Sequence, residues 1–201
     1  MAAKSVANIG KDSGIPPRAR ILAAAAELFY RHGIRVVGVE AIAEAAGTNK
    51  MTLYRHFTSK DELVAEYLRQ SAGAADGCWE RFAHAHPGDP LAQLCAWLDE
   101  MARHLAAPDV RGCALANAAV ELPEKDHPAR RVIEEYKRAQ RTRLVRLSEE
   151  AGLSEPAMLA DELHLLLEGA RVTAQSVGTE GLAARLLYMG KAMIAAHTPR
   201  R

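Results

Sequence analysis

Residues 33–60, GIRVVGVEAIAEAAGTNKMTLYRHFTSK, read as two short helices around a glycine turn, the second of them polar and aromatic on its outer side. Val39, Ile42, Ala43 and Ala46 recur at three- and four-residue intervals, which puts them on one buried stripe of a helix starting after Gly38. Gly47 supplies the stop, because the residue just past a helix commonly takes a left-handed backbone that glycine adopts without a side-chain clash. Asn49 can accept from the free amides of the next turn, so a second helix is expected to begin near Lys50. Leu53 and Phe57 lie four apart on it and face inward. Asn49, Lys50, Met51, Thr52, Tyr54, Arg55 and His56 are left for the outer surface and flanks, a composition that suits a DNA major groove.

The run from Ile42 to Leu63, IAEAAGTNKMTLYRHFTSKDEL, resembles the DNA-binding signature of TetR-type transcriptional repressors: an I-A-x-x-A-G turn, a T-L-Y-x-H-F helix and an S-K-[ED]-x-L helix start. The specific match covers about the first third of the chain, and the remainder resembles the family in helical pattern and length. Two departures stand out. Gly38 occupies a position where many members carry Thr or Ser, and it brings no hydroxyl for a phosphate; Thr48 and Asn49 replace a small or aliphatic residue and a serine. The resemblance implies an all-α fold, with an N-terminal three-helix helix-turn-helix domain followed by a larger helical ligand-binding and dimerisation domain. It also implies a double-stranded DNA operator, a small-molecule effector and a second copy of the chain as partners, with no cofactor and no enzymatic activity. In the family's pattern Tyr54, His56 and Lys60 contact the phosphate backbone, while Lys50 and Thr52 can reach base edges.

Charge distribution agrees with a DNA-binding end. Residues 1–60 hold nine Lys and Arg against four Asp and Glu, a balance of +5, whereas the remaining residues hold 17 against 21, a balance of −4. With 49% of residues hydrophobic, the 201-residue chain is expected to bury a full core. No apolar run approaches the roughly 20 residues that cross a bilayer, and MAAKSVANIGKDSG carries no signal-peptide core, so a cytoplasmic protein without a membrane partner is expected.

Three cysteines, Cys78, Cys95 and Cys113, lie 17 and 18 residues apart with no C-x-x-C pair and read as reduced core thiols. His104, His127 and His164 are scattered, so no metal site is expected. Nucleophile-elbow, phosphate-loop, zinc-protease and dinucleotide glycine motifs are all missing from the sequence.

Three segments follow along the chain. Residues 1–15 read as a flexible arm in which Lys4 and Lys11 can touch DNA, 16–60 as the helix-turn-helix domain, and 61–201 as the ligand-binding and dimerisation domain. Pro17 suits a helix first turn, and that helix runs to about His32 before Gly33 stops it. Ser59 and Glu62 form a capping-box pattern at the start of a long helix reaching about His84, which joins head to body. Further helices follow over Leu91–Leu105, Cys113–Leu122, Ala129–Ala151, Met158–Val177 and Leu182–Ala196, with Gly190 marking a close approach. The last two are apolar on more than one face. By the resemblance they pair across a two-fold axis through Leu163, Leu166, Leu167, Ala170, Leu182, Leu186, Met189 and Met193, placing two reading helices about 34 Å apart. Trp79, Phe82, Trp97, Met101, Asn117 and Tyr136 are candidates to line an effector site between helices.

The sequence thus reads as a ligand-released repressor. A thiol-switched repressor, or a helical ligand-binding protein or enzyme, is the alternative.

Overall fold

Prolines and short polar caps set where the helices start. Pro17, Pro90, Pro128 and Pro156 each open a helix, where a missing N–H costs nothing because that donor has no intrahelical acceptor. Helices placed from apolar periodicity alone at Leu91, Ala129 and Met158 therefore begin one or two residues earlier, at the proline.

The computed structural model describes residues 14–108 and 110–199; Lys4, Lys11 and most of the expected 1–15 arm lie outside them. Regular structure among the described residues is all helical: α1 Pro17–His32, α2 Val39–Ala45, α3 Lys50–His56, α4 Lys60–Ala85, α5 Pro90–Ala106, α6 Ala114–Glu121, α7 Pro128–Glu150, α8 Pro156–Val177 and α9 Leu182–Ala196. Among the described residues no helix is long and apolar enough to cross a membrane.

The chain folds as two compact units. The first comprises the described residues up to Ala72 together with Ala114–Glu134; the second comprises Gly73–Cys113 and the described residues from Glu135. This division differs from the 16–60 and 61–201 segments read from sequence, because α6 and the start of α7 pack with the N-terminal helices while α4 contributes to both units.

In the first unit α1, α2 and α3 pack on one another around Ile21, Phe29, Ile42, Leu53 and Phe57, all buried. Phe29 meets Tyr67 of α4 at a ring separation of 5.7 Å. Gly33 ends α1 with φ +91°, a backbone most side chains avoid. Ser59 Oγ accepts from Glu62 N at 3.0 Å, as the capping box requires. The Glu62 carboxylate reaches one residue further back than in the usual pattern, accepting from Thr58 N and Thr58 Oγ at 2.6 Å each.

In the second unit α5, α8 and α9 pack on one another. The buried face of α5 is Leu94, Trp97, Leu98, Ala102 and Leu105, packed with Leu159, Leu163 and Leu167 of α8 and Leu182, Leu186 and Ile194 of α9. Gly190 is the close-approach point expected from sequence: a Cβ there would lie 2.6 Å from a Leu98 methyl.

Candidate functional site

The turn between α2 and α3 is built by local signals. Thr48 N donates to Ala43 O at 2.9 Å around Gly47, whose φ is +62°, and Asn49 Oδ1 caps α3 by accepting from Thr52 N at 2.9 Å. Leu53 and Phe57 are buried, so the opposite face of α3 is fixed outward. There Met51 is 79% and Tyr54 42% exposed, with Lys50 and Arg55 also exposed and Thr52 and His56 half-buried. Arg18 of α1 lies over the Phe57 ring at 5.0 Å, bracing α3 from behind.

The two lysines among the candidate DNA contacts already have partners. Lys50 Nζ donates to Glu40 Oε1 at 2.6 Å and sits 6.0 Å over the Tyr54 ring. That hydrogen bond, with the paired charge behind it, holds the Glu40 carboxyl below its usual range and raises the Lys50 ammonium above its own. A phosphate or guanine must therefore compete with Glu40 for Lys50. Lys60, expected on the phosphate backbone, faces Phe29 with Nζ 6.0 Å from the ring. Burial lowers its pKa, with the Asp61 and Glu121 carboxylates opposing.

A residue that sequence reasoning missed holds the other turn of the head. Glu121, the last residue of α6, accepts from Ile34 N at 2.6 Å and Arg35 N at 3.0 Å through Oε2, while Arg35 Nε donates to Glu121 O at 2.7 Å and Arg35 Nη2 to Glu124 Oε1 at 3.2 Å. One carboxylate thus receives both amides of the α1–α2 turn. Glu121→Ala is expected to speed amide hydrogen exchange at Ile34 and Arg35 by tens of fold, the loss of charge-assisted bonds worth about 1–3 kcal/mol, and to weaken duplex binding. Unchanged exchange at both amides would show that the clasp is decorative.

In the second unit four of the six candidate effector residues, Trp79, Phe82, Trp97 and Met101, pack in one cluster, and Tyr136 lies near Arg171. Trp79 stacks on Trp97 with centroids 6.0 Å apart and 9° between planes, and Phe82 meets Trp79 edge-on at 5.8 Å. Met101, one turn beyond Trp97, offers its sulfur to Arg171 Nη2 at 3.8 Å. Burial pushes the Tyr136 phenol up to about 12. Asn117 falls on α6 in the first unit, half-buried. Trp97 is fully buried, which makes it core as much as wall.

A sequence profile of bacterial regulatory proteins of the tetR family matches residues 21–67, from α1 into α4. RaaS, an HTH-type transcriptional regulatory protein of Mycobacterium tuberculosis, is 43% identical over 72 residues, which is 32% of this chain and 34% of RaaS. The chain thus spans about a third of that relative's length. The HTH-type transcriptional repressor SCO4008 of Streptomyces coelicolor is 31% identical over 155 residues, 75% of this chain and 73% of SCO4008. The chain belongs to the TetR family of DNA-binding transcriptional regulators. The crystal structure of SCO4454, a TetR-family transcriptional regulator of Streptomyces coelicolor, superposes with a TM-score of 0.86 at 26% identity, covering 91% of this chain and 96% of SCO4454.

For this TetR-family chain the expected dimer residues need correcting. Leu163, Leu167, Ala170, Leu182 and Leu186 are buried in the chain's own core against α5, and Leu166 and Met193 are partly buried against the same core. Of the expected set Met189 alone is exposed. The outward apolar stripe of α8 is Met158, Leu165 and Val172, spaced seven apart, with Leu165 71% and Val172 63% exposed; Tyr188 joins Met189 on α9. The helices are apolar on two faces, as read, but most of the residues assigned to a partner lie on the faces that α5, α8 and α9 bury among themselves.

The three thiols are free, Cys78 and Cys95 half-buried and Cys113 buried. Burial, with Asp99 adding to it, pushes the Cys95 thiol up, which disfavours the thiolate that a redox switch uses.

Proposed function

We propose that this TetR-family regulator is a dimeric repressor that reads operator DNA with α3 and is released by a small, largely apolar ligand bound in the second unit. The observation that carries the DNA reading is the Asn49 cap with buried Leu53 and Phe57 behind it, which presents Lys50, Met51, Thr52 and Tyr54 as one outward surface. Lys50, Met51 and Thr52 take the base-edge roles, and Asn49, Tyr54, His56 and Lys60 the phosphate roles. SCO4008, a named repressor, supports the sign of regulation. Ligand shifts the population toward a form in which α4 is tilted and the two heads no longer match both half-sites.

Dimerisation in this reading uses the outward stripe of α8 and α9. Leu165→Glu combined with Val172→Glu is expected to give a folded monomer, because both side chains leave water only when a partner covers them, whereas Leu163→Glu is expected to unfold the chain. Sedimentation separates the two. A monomer also loses the gain from two linked heads, so operator affinity is expected to fall by about a hundredfold or more. A double variant that stays dimeric, or a wild-type chain that is monomeric at micromolar concentration, contradicts this arrangement.

A further inference from the structure

The effector cluster has aromatic walls, but its polar groups do not balance. Arg171 on α8 is only 7% exposed. A guanidinium keeps its charge when buried, so it needs an anion beside it. Glu168 serves, accepting from Arg171 Nη1 at 2.6 Å, yet the same Oε1 also accepts from Lys137 Nζ at 2.8 Å. One carboxylate thus answers two fixed cations.

Among the described residues the other groups facing Arg171 are the Cys113 thiol, His104, His164 and Tyr136, and none of them is a carboxylate. Burial pushes His104 down, Arg171 itself adding to the effect, and burial with Lys137 does the same to His164, so both rings are neutral at pH 7. The raised Tyr136 phenol stays protonated. Asp76 is taken by Arg143, which also lies 6.0 Å over the Trp79 ring. Among the described residues a surplus positive charge remains at this cluster.

Unpartnered donors lie in the same place. Arg171 Nε and Trp97 Nε1 are buried without a hydrogen-bond partner among the described residues, as is His164 Nδ1, and Arg171 Nη2 has only the weak Met101 sulfur acceptor. Met101 is one turn from Trp97, and Trp97 stacks on Trp79, so the guanidinium and the aromatic wall are continuous. Half-buried Lys137 and Glu168 give the cluster a side that solvent reaches.

We propose that the effector is an anion: an aromatic or multi-ring carboxylate whose ring lies against the Trp79 and Trp97 pair and whose carboxylate is bound by Arg171. The inference rests on the reading of the second unit as an effector site and names the ligand's chemical class. Carboxylate oxygens give the guanidinium charge-assisted bonds and neutralise the surplus charge, which a neutral ligand of the same shape does not.

The test uses the full-length protein and three aromatic acids, 1-naphthoate, 2-naphthylacetate and 3-phenylpropanoate, each beside its own carboxamide, with calorimetry for binding and operator titration in parallel. At least one acid is expected to bind tenfold or more tightly than its amide. Arg171→Met, checked for a wild-type melting profile, should erase that preference while leaving amide binding in place, and Arg171→Lys should keep part of it. If Arg171→Met fails to fold, the wild-type acid-to-amide ratio and Arg171→Lys still decide. Equal binding of acids and amides, a preference that survives Arg171→Met, or no acid binding at millimolar concentration overturns the inference. An acid that binds through Arg171 yet leaves operator affinity unchanged keeps the anion site and overturns the effector reading instead.

Discussion

Raising salt from roughly 50 to 200 mM is expected to weaken duplex binding by about three orders of magnitude or more, the loss that accompanies six to ten neutralised phosphates. The charge that does this is concentrated at one end: the first 60 residues carry a balance of +5 on a chain whose net charge is +1. Individual side chains divide that effect. Lys50→Ala should lower the magnitude of the logarithmic salt slope by about one per head if Lys50 meets a phosphate, and should leave the slope unchanged but relax base preference if it meets guanine. Glu40 sets the cost of either contact, since its carboxylate holds Lys50 Nζ at 2.6 Å before DNA arrives. Removing Glu40 therefore strengthens binding to every sequence. Fluorescence anisotropy over a salt series measures these slopes, and a salt-insensitive affinity contradicts the assignment of this face to DNA.

Gly190→Leu is expected to unfold the second unit at ordinary temperature or lower its melting point by more than 10 °C. A Cβ at Gly190 would sit 2.6 and 2.7 Å from the two Leu98 methyls. Leu98 has little room to yield, because it is buried in the core that α5, α8 and α9 share, with Leu94 and Leu105 on the same face of α5. Even Gly190→Ala should cost about 1–3 kcal/mol of overpacking, offset by up to about 1 kcal/mol of helix propensity. At about 2–4 °C per kcal/mol for a chain of this size, alanine lowers the melting point by a few degrees, whereas leucine forces α5 and α9 apart and exposes the core. Calorimetry of the two variants checks this. A Gly190→Leu protein that melts like wild type would mean that α5 and α9 do not approach here.

What the sequence disclosed were features whose partners are close along the chain. The Gly47 stop, the Asn49 cap, the inward Leu53 and Phe57 pair and the Ser59 cap all act within three or four residues, so residue type and spacing suffice to read them. Gly190 was legible as well, since a glycine within an apolar helix has few uses other than close packing. Four features were not. Glu121 finds Ile34 and Arg35 across 87 and 86 residues, and nothing in ELPEKDHP marks that glutamate as different from its neighbours. Lys50 pairs with Glu40 only because the turn at Gly47 folds α3 back on α2. The two apolar faces of α8 were plain, but which one α5 covers depends on the crossing of three helices, and periodicity carries no information about that. Arg171 was invisible for the same reason: on a helix wheel a lone arginine beside Glu168 reads as a surface ion pair, and burial is decided by α5 and α7.

The most direct measurement is selection of bound duplexes from a random pool, followed by anisotropy titration of the selected duplex with wild type and Thr52→Ala. The account predicts one enriched inverted repeat, bound at least about a thousandfold more tightly than a scrambled duplex at the same salt, with Thr52→Ala relaxing the preference at one base position in each half-site. A pool that stays random after selection, or a preferred duplex whose recognition is untouched by Thr52, Lys50 and Met51 substitutions, would contradict DNA reading by α3.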